Sequence, residues 1–251
     1  MPADAVVSLL VFAAAFFGAA LNAAAGGGSF LTLPALIYAG IPAVAANATG
    51  TTALLPGYLA STWGFRDDLG APRAVHMPAL LLTCVAGGGL GAGLLIATSN
   101  QAFRALVPWL LLFATALFAF GPALLRLLGR HPEQHATPAQ ALGGLFAVSV
   151  YGGYFNGGLG VLLLALLTLI GETQLNRMNA LKNALSAVLT VFAVGLYAAA
   201  GTVRWGWVAL MLPAVLLGGY AGARLARRIP RELLRWGIVG VGLVMSALFF
   251  R

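Results

Sequence analysis

Residues 24–40 read AAGGGSFLTLPALIYAG, and this stretch decides how the rest of the chain is interpreted. Three consecutive glycines, Gly26 to Gly28, are followed by Ser29 and then by Pro34, all within otherwise apolar sequence. In a bilayer an unpaired peptide group costs several kcal/mol, so glycines and a proline inside an apolar run are expensive. The stretch therefore predicts a membrane helix that is interrupted for a functional reason.

Composition indicates a membrane protein. The 251 residues are 61% hydrophobic and 8% charged, whereas soluble domains carry roughly 25% charged residues. The net charge of +8 would suggest a nucleic-acid partner in a soluble protein. Here we attribute it to Arg-rich loops that orient membrane helices, so we expect membrane lipid as a partner and no nucleic acid.

Acidic residues and cysteines are too few and too scattered to predict a metal site or a cofactor. Cys84 is the only cysteine in the sequence. The carboxylates fall at chain ends or in expected loops, at Asp4, Asp67, Asp68, Glu133, Glu172 and Glu232. A cation site or a proton relay inside the membrane usually needs Asp or Glu there. This distribution favours an anionic substrate.

Apolar runs predict an all-α polytopic membrane protein. Eight main spans are expected at 5–24, 45–65, 77–98, 106–128, 141–156, 180–200, 207–226 and 236–250. Two shorter segments, 28–40 and 158–170, have 13 residues each. A helix of that length reaches about 20 Å, less than the roughly 30 Å of a hydrocarbon core. Each short segment follows a glycine-rich break, so each forms either part of one kinked crossing or a re-entrant helix that enters and returns.

Positive charges distinguish these two arrangements. If both short helices return, 11 of the 14 Lys and Arg residues share one face: ten lie in the loops 66–76, 129–140, 171–182 and 224–235, and Arg126 lies just before the second of these loops. If each pair makes a single crossing, the same residues divide 6 against 8. The positive-inside rule favours the first arrangement. It predicts these loops in the cytoplasm and both termini on the extracytoplasmic side of the cell (inner) membrane.

An internal repeat is visible at an offset of 131 residues. At this offset Gly40 falls on Gly171, and Gly26 and Gly27 fall on Gly157 and Gly158. The glycines at 87, 88 and 91 likewise fall on those at 218, 219 and 222, and we assign both sets to close helix packing. Residues 1–130 and 131–251 are therefore predicted as two transmembrane repeats. An odd number of passes in each makes the repeats inverted, an architecture found in many secondary transporters.

Helix starts at the two breaks are the predicted substrate site. A helix N-terminus offers free N–H groups and a positive dipole end, which together bind anions. The predicted backbone contacts are Gly26, Gly27, Gly28 and Ser29 in the first half and Asn156, Gly157 and Gly158 in the second. The predicted side-chain contacts are Asn47, Thr51, Asn179 and Lys182. The alternatives are that the glycines only permit a kink, that the amides and hydroxyls bond neighbouring helices, and that Lys182 snorkels to the cytoplasmic surface.

The string GGGSFLTLPALIYAGIPAVAANATGTTA at 26–53 resembles the sulfite exporter TauE/SafE family of bacterial membrane transporters, with a weaker echo at NGGLGVLLLALLTLIG. The resemblance implies transport of sulfite, sulfonates or related sulfur and carboxylic anions. The second half departs from the pattern, with Leu159 within its glycine run and Ala165 where a proline would align.

We therefore predict a secondary transporter that exports a small sulfur-containing oxyanion such as sulfite or an organosulfonate. An anion channel or a broad organic-anion permease are the alternatives. An intramembrane enzyme is disfavoured because the sequence contains no Gly-x-Ser-x-Gly or His-Glu-x-x-His motif. The sequence leaves the coupling ion and the oligomeric state open.

Overall fold

The computed structural model describes residues 5–70, 75–128, 137–225 and 231–250, and within these ranges the chain forms ten α-helices. A single 3-10 turn, Arg66–Asp68, follows the third of them. The helices are α1 (Ala5–Ala25), α2 (Ser29–Tyr38), α3 (Ala43–Gly64), α4 (Met77–Ala97), α5 (Asn100–Leu128), α6 (Pro138–Tyr154), α7 (Leu159–Leu169), α8 (Leu175–Ala199), α9 (Trp205–Leu225) and α10 (Arg231–Phe249).

The first break turns the chain back on itself. A Cβ atom at Gly18 of α1 would lie 2.9 Å from the carbonyl oxygen of Gly28 and 3.1 Å from Cγ2 of Thr32. Closer to the break, a Cβ at Gly28 would lie 3.1 Å from Cβ of Asn22. Residues further along α2 therefore contact residues earlier in α1, so the two helices form an antiparallel hairpin.

The second break does the same for α6 and α7. A Cβ at Gly152 would lie 2.8 Å from Cδ1 of Leu159, and a Cβ at Gly144 would lie 2.7 Å from Cδ1 of Leu166. These pairs again run in opposite directions along the two helices. The chain therefore reverses at both breaks, as the returning arrangement requires and the single kinked crossing does not.

Both short helices end in the same hydrogen-bonded turn. Gly40 has φ +82° and Gly171 has φ +86°, a left-handed conformation that glycine adopts without a Cβ penalty. The next N–H groups, of Ile41 and Glu172, donate to the carbonyls of Leu36 and Leu167 over 3.1 and 3.0 Å. This is the Schellman pattern, in which the turn satisfies carbonyls that the helix end leaves free. Gly40 and Gly171, which align in the internal repeat, therefore end the two short helices in the same way.

Contacts between helices pair the first five with the last five. Helix α1 packs against α9 and α4 packs against α6, while α3 contacts both α8 and α9 and α4 contacts α8. Helix α5 contacts α7 and α10, and α2 contacts α10. Nearly every one of these contacts has a counterpart when each helix is replaced by the helix five places away in chain order. The short helix α2 lies inside this assembly, with Phe30, Leu33 and Leu36 buried.

Glycines on α4 and α9 bring neighbouring backbones together, as predicted from their spacing. A Cβ at Gly91 would collide with the carbonyl oxygen of Val150 on α6, and one at Gly218 would collide with that of Phe16 on α1. Gly88 packs against Leu189 of α8, where a Cβ would lie 3.0 Å from the Leu189 Cβ. Gly219 is different, since a Cβ there would meet no atom within 4 Å.

Three helices begin five or more residues earlier than the apolar runs predict. Helix α5 starts at Asn100 rather than 106, α8 at Leu175 rather than 180, and α10 at Arg231 rather than 236. Their first turns are polar and were assigned to loops, although polar residues are well accommodated in a helix end. The predicted loop 171–182 is therefore wrong beyond residue 174, and Lys182 lies within α8. The predicted boundary between repeats, at 130–131, lies outside the described residues.

Four helices of the described chain are long and apolar enough to cross a membrane by length and composition. Their spans are Ala5–Ala23, Met77–Ala97, Asn100–Phe120 and Asn176–Ala199. Shorter apolar helical segments are Ser29–Tyr38, Leu159–Leu169, Trp205–Ala221 and Val239–Phe249. The all-helical fold with apolar helices is as predicted, whereas the count of eight crossing helices stays a prediction.

Candidate functional site

The first short helix begins without a cap. Gly28 precedes α2 in helical conformation and no side chain accepts a hydrogen bond from the first turn. Among the described residues, the N–H groups of Gly27, Gly28 and Ser29 have no backbone acceptor. Ser29 is buried, so this helix start is shielded from solvent. A buried N–H without an acceptor costs about 1–3 kcal/mol, which a bound anion would recover.

The second short helix also begins without a side-chain cap. Gly158 precedes α7 with φ +77°, a conformation that favours glycine. Over the part of the chain that is described, the N–H groups of Gly157, Gly158 and Gly160 find no backbone acceptor. The Gly157 carbonyl, in contrast, accepts a 2.6 Å hydrogen bond from the hydroxyl of Tyr151. Tyr151 thus pairs with the Gly157 carbonyl and leaves the N–H groups at this helix start free.

The two breaks differ in backbone conformation although their glycines align in sequence. In the first, the left-handed residue is Gly26, directly after α1, and in the second it is Gly158, directly before α7. Helix α6 is instead followed by Phe155 in extended conformation, with φ −149° and ψ 114°. The left-handed glycine thus lies at the beginning of the first break and at the end of the second. Gly27 and Gly158 align in sequence, but only Gly158 is left-handed.

The two breaks are in direct contact. A Cβ atom on Gly26 would lie 3.2 Å from the Cα atom of Gly160 and 3.4 Å from its nitrogen. Both residues are buried. Two backbones can approach this closely only when side chains are absent from one of them. The two glycine breaks therefore meet through their backbones.

Tyr58 of α3 connects the two breaks through its hydroxyl group. Its oxygen lies 3.1 Å from Oδ1 of Asn156, in the second break, and 3.5 Å from Oδ1 of Asn22, on the last turn of α1. Tyr58 is 7% exposed and Asn156 is 2% exposed. A phenol has one proton, so it donates to one of the two amide oxygens at a time. The shorter distance places that bond on Asn156.

The amide nitrogen of Asn156 has no hydrogen-bond partner within the described structure, although it is buried. Buried polar groups in folded proteins are nearly always paired, so each exception requires an explanation. Asn156 lies directly before the uncapped glycines of the second break, and its amide oxygen is already engaged by Tyr58. A free NH₂ group at this position is a donor for an anion.

One face of α3 lies over both breaks. Asn47, Thr51, Leu54 and Tyr58 follow one another at helical spacing, and all four are buried. The Asn47 amide nitrogen donates to the carbonyl of Tyr154 over 3.0 Å, at the end of α6. Leu54 packs against the first break, where a Cβ on Gly28 would lie 2.9 Å from its Cδ1.

The two predicted side-chain contacts on this face have different environments. Asn47 donates one N–H of its NH₂ group to the end of α6, which leaves its second N–H and its oxygen for other partners. Thr51, one turn further along, makes no hydrogen bond to the residues that the structure describes and is 3% exposed. The hydroxyl of Thr51 is therefore available as a donor between Asn47 and Tyr58.

The predicted contacts on α8 are not brought to the breaks by any described contact. Lys182 is 9% exposed and forms no ion pair with the carboxylates of the described ranges. Glu172, the nearest in sequence, lies 3.5 Å from Arg177 instead. Asn179 is half-buried. The burial of Lys182 argues against snorkelling to the surface, while its contact with a substrate stays a prediction.

Sequence reasoning missed two residues of the site, Asn22 and Tyr58. Asn22 is the one amide in the apolar helix α1 and lies four residues before Gly26, whose N–H donates to its carbonyl over 3.0 Å. Tyr58 follows Asn47 by 11 residues and thus shares its face of α3. For Asn22 and Tyr58 alike, the available signal was a polar group on an apolar helix that adjoins a break.

Comparison with known proteins identifies relatives along almost the whole chain. A family model described as "Sulfite exporter TauE/SafE" matches residues 11–249. A "Probable membrane transporter protein" of Haemophilus influenzae is 25% identical over 244 residues, which cover 95% of this chain and 92% of that protein. The "Probable membrane transporter protein YfcA" of Escherichia coli K12 is 30% identical, with 96% and 90% covered. No solved structure matches the chain.

Proposed function

The chain belongs to the sulfite exporter TauE/SafE family, and from that premise we propose that it is a secondary transporter that exports a small sulfur oxyanion, such as sulfite or an organosulfonate. The observation that carries this proposal is the pair of uncapped helix starts, whose glycine breaks are in contact at Gly26 and Gly160. Two relatives bear names that describe them as probable membrane transporters, which supports transport as the general activity.

The donor groups favour an anion over a cation. The N–H groups at Gly27–Ser29 and Gly157–Gly158, the Asn156 NH₂ group and the Thr51 hydroxyl all present hydrogen atoms. No carboxylate of the described chain contacts these groups. Helix N-termini add a positive partial charge, which stabilises an oxyanion without a cationic side chain.

The arrangement of the helices supports an alternating-access carrier. We propose that residues 1–130 and 131–251 form two inverted repeats of five helices, with eight main crossing helices and two re-entrant ones, α2 and α7. The paired helix contacts and the matching turns at Gly40 and Gly171 support this repeat. The Arg-rich loops then lie in the cytoplasm and both termini outside. Export of an anion from an inside-negative cell gains about 2.3 kcal/mol per charge for each 100 mV.

Exchange in proteoliposomes tests this function. The protein is reconstituted into vesicles loaded with unlabelled sulfite, taurine or acetate, and uptake of labelled sulfite is followed. We expect uptake to be accelerated by internal sulfite and lost in Asn156→Asp, since like charges in contact cost several kcal/mol. Asn176→Asp is the matched control because Asn176 is an exposed residue in the first turn of α8, where a carboxylate is favourable.

The outcomes separate the alternatives. Exchange with acetate as rapid as with sulfite would replace the sulfur-oxyanion carrier with a broad organic-anion permease. Rapid flux that does not depend on internal anion would identify a channel. Full exchange in Asn156→Asp would remove the second break from the substrate path.

A further inference from the structure

We propose that Tyr58 is a positioning residue that fixes the orientation of the Asn156 amide and thereby sets the affinity of the site for anions. This inference rests on the proposed function, because it assigns a role within the same site. It concerns a residue of α3 that contacts the second break over 98 positions of sequence.

The two ends of an asparagine amide have nearly the same size but opposite hydrogen-bonding character. Oxygen accepts, whereas NH₂ donates. Packing alone therefore does not decide which end faces a ligand. At Asn156 the oxygen lies 3.1 Å from the Tyr58 hydroxyl and the nitrogen is left without a partner. The hydrogen bond from Tyr58 selects the orientation that presents NH₂, the end that binds an anion.

Asn22 competes for the same proton. Its Oδ1 lies 3.5 Å from the Tyr58 oxygen, further than that of Asn156. When Tyr58 donates to Asn22, its own oxygen becomes an acceptor for the NH₂ group of Asn156, and the amide then turns its oxygen outward. Removal of Asn22 therefore leaves the anion-binding orientation favoured, whereas removal of the Tyr58 hydroxyl abolishes the preference.

Two variants with opposite expectations test this role. Sulfite exchange is measured for Tyr58→Phe and Asn22→Ala, with the apparent KM separated from the maximal rate. We expect Tyr58→Phe to raise KM about tenfold, the equivalent of one weakened hydrogen bond to a charged group, without an equal loss of maximal rate. Asn22→Ala is expected to lower KM, because it removes the acceptor that competes with Asn156 for the Tyr58 proton.

Tyr197→Phe is the matched control for loss of a buried hydroxyl. Tyr197 is 1% exposed, and its hydroxyl donates to the backbone carbonyl of Gly153 rather than to a side chain of either break. If folding accounts for the Tyr58 effect, both phenylalanine variants will lower the unfolding temperature and the exchange rate together. An unchanged KM in a folded Tyr58→Phe protein would overturn the proposal.

A double-mutant cycle provides the stricter test. If Tyr58 acts through Asn156, Tyr58→Phe adds nothing to the KM of the Asn156→Ala protein, because coupled residues are not additive. A further tenfold rise in the double variant would overturn the positioning role. Failure of the proposed function is distinguishable, since it would appear as the absence of saturable sulfite exchange in the unsubstituted protein.

Discussion

A Cβ atom on Gly26 would lie 3.2 Å from the Cα atom of Gly160, so the two glycine breaks touch through backbone. The residues are 134 positions apart in the sequence, and each belongs to a hairpin of one long and one short helix. Contact between the breaks places two uncapped helix starts in one region. That arrangement is the physical basis for the proposed anion site.

Gly26→Ala tests this contact, with Gly40→Ala as its control. Both glycines have positive φ, +85° and +82°, so both substitutions carry a strain of about 1–2 kcal/mol. A Cβ at Gly40 meets nothing within 4 Å, whereas one at Gly26 meets Gly160. We expect Gly26→Ala to lower the unfolding temperature more and to impair exchange. If the two substitutions lower the unfolding temperature and the exchange rate equally, the contact between Gly26 and Gly160 has no role of its own.

Close packing of α4 against α6 predicts a second difference between two glycines of one helix. A Cβ at Gly91 would collide with the Val150 carbonyl and lie 2.8 Å from the Tyr154 nitrogen, while one at Gly93 would meet no atom within 4 Å. Overpacking costs about 1–3 kcal/mol. Gly91→Ala should therefore destabilise the protein in detergent while Gly93→Ala is tolerated. The packing assignment fails if both unfold at the same temperature.

Thr190 offers a stabilising substitution. Its hydroxyl oxygen is buried on α8 without a hydrogen-bond partner in the described structure. Thr190→Val preserves the branched shape and removes an unpaired polar group, whose burial costs about 1–3 kcal/mol. We expect a higher unfolding temperature with unchanged sulfite exchange. A lower unfolding temperature would indicate that the Thr190 hydroxyl has a hydrogen-bond partner in the membrane.

Labelling of introduced cysteines tests the orientation. Cys84 is fully buried, so it adds little background. Asp68→Cys, after α3, and Gln101→Cys, at the start of α5, place thiols at exposed positions, which the proposed orientation assigns to opposite sides of the membrane. In intact cells an impermeant maleimide should label Gln101→Cys, and it should label Asp68→Cys only after permeabilisation. The reverse pattern would contradict termini on the extracytoplasmic side.

Local signals in the sequence were sufficient for the short helices and insufficient for the site. The glycines at both ends of each short segment predicted the bounds of α2 and α7 to within two residues. They could do so because left-handed turns, such as those at Gly40 and Gly171, favour glycine. The start of α8 was misplaced because Asn176 and Arg177 are polar yet helical.

Contacts between distant residues could not be read from one sequence. The hydrogen bond between Tyr58 and Asn156 joins helices whose relative positions depend on the packing of the whole assembly. Asn47 was predicted as a substrate contact from its polarity, but the same polarity serves the carbonyl of Tyr154. A polar side chain in an apolar helix indicates a buried partner without identifying it.

The most direct test of the central claim is an experimental structure determined with sulfite bound. We predict density for the anion beside the glycine breaks, within hydrogen-bonding distance of the N–H groups at Gly27–Ser29 or Gly157–Gly158 and of the Asn156 amide nitrogen. Asn156→Asp should lack that density under the same conditions. An anion bound away from both breaks would contradict the account.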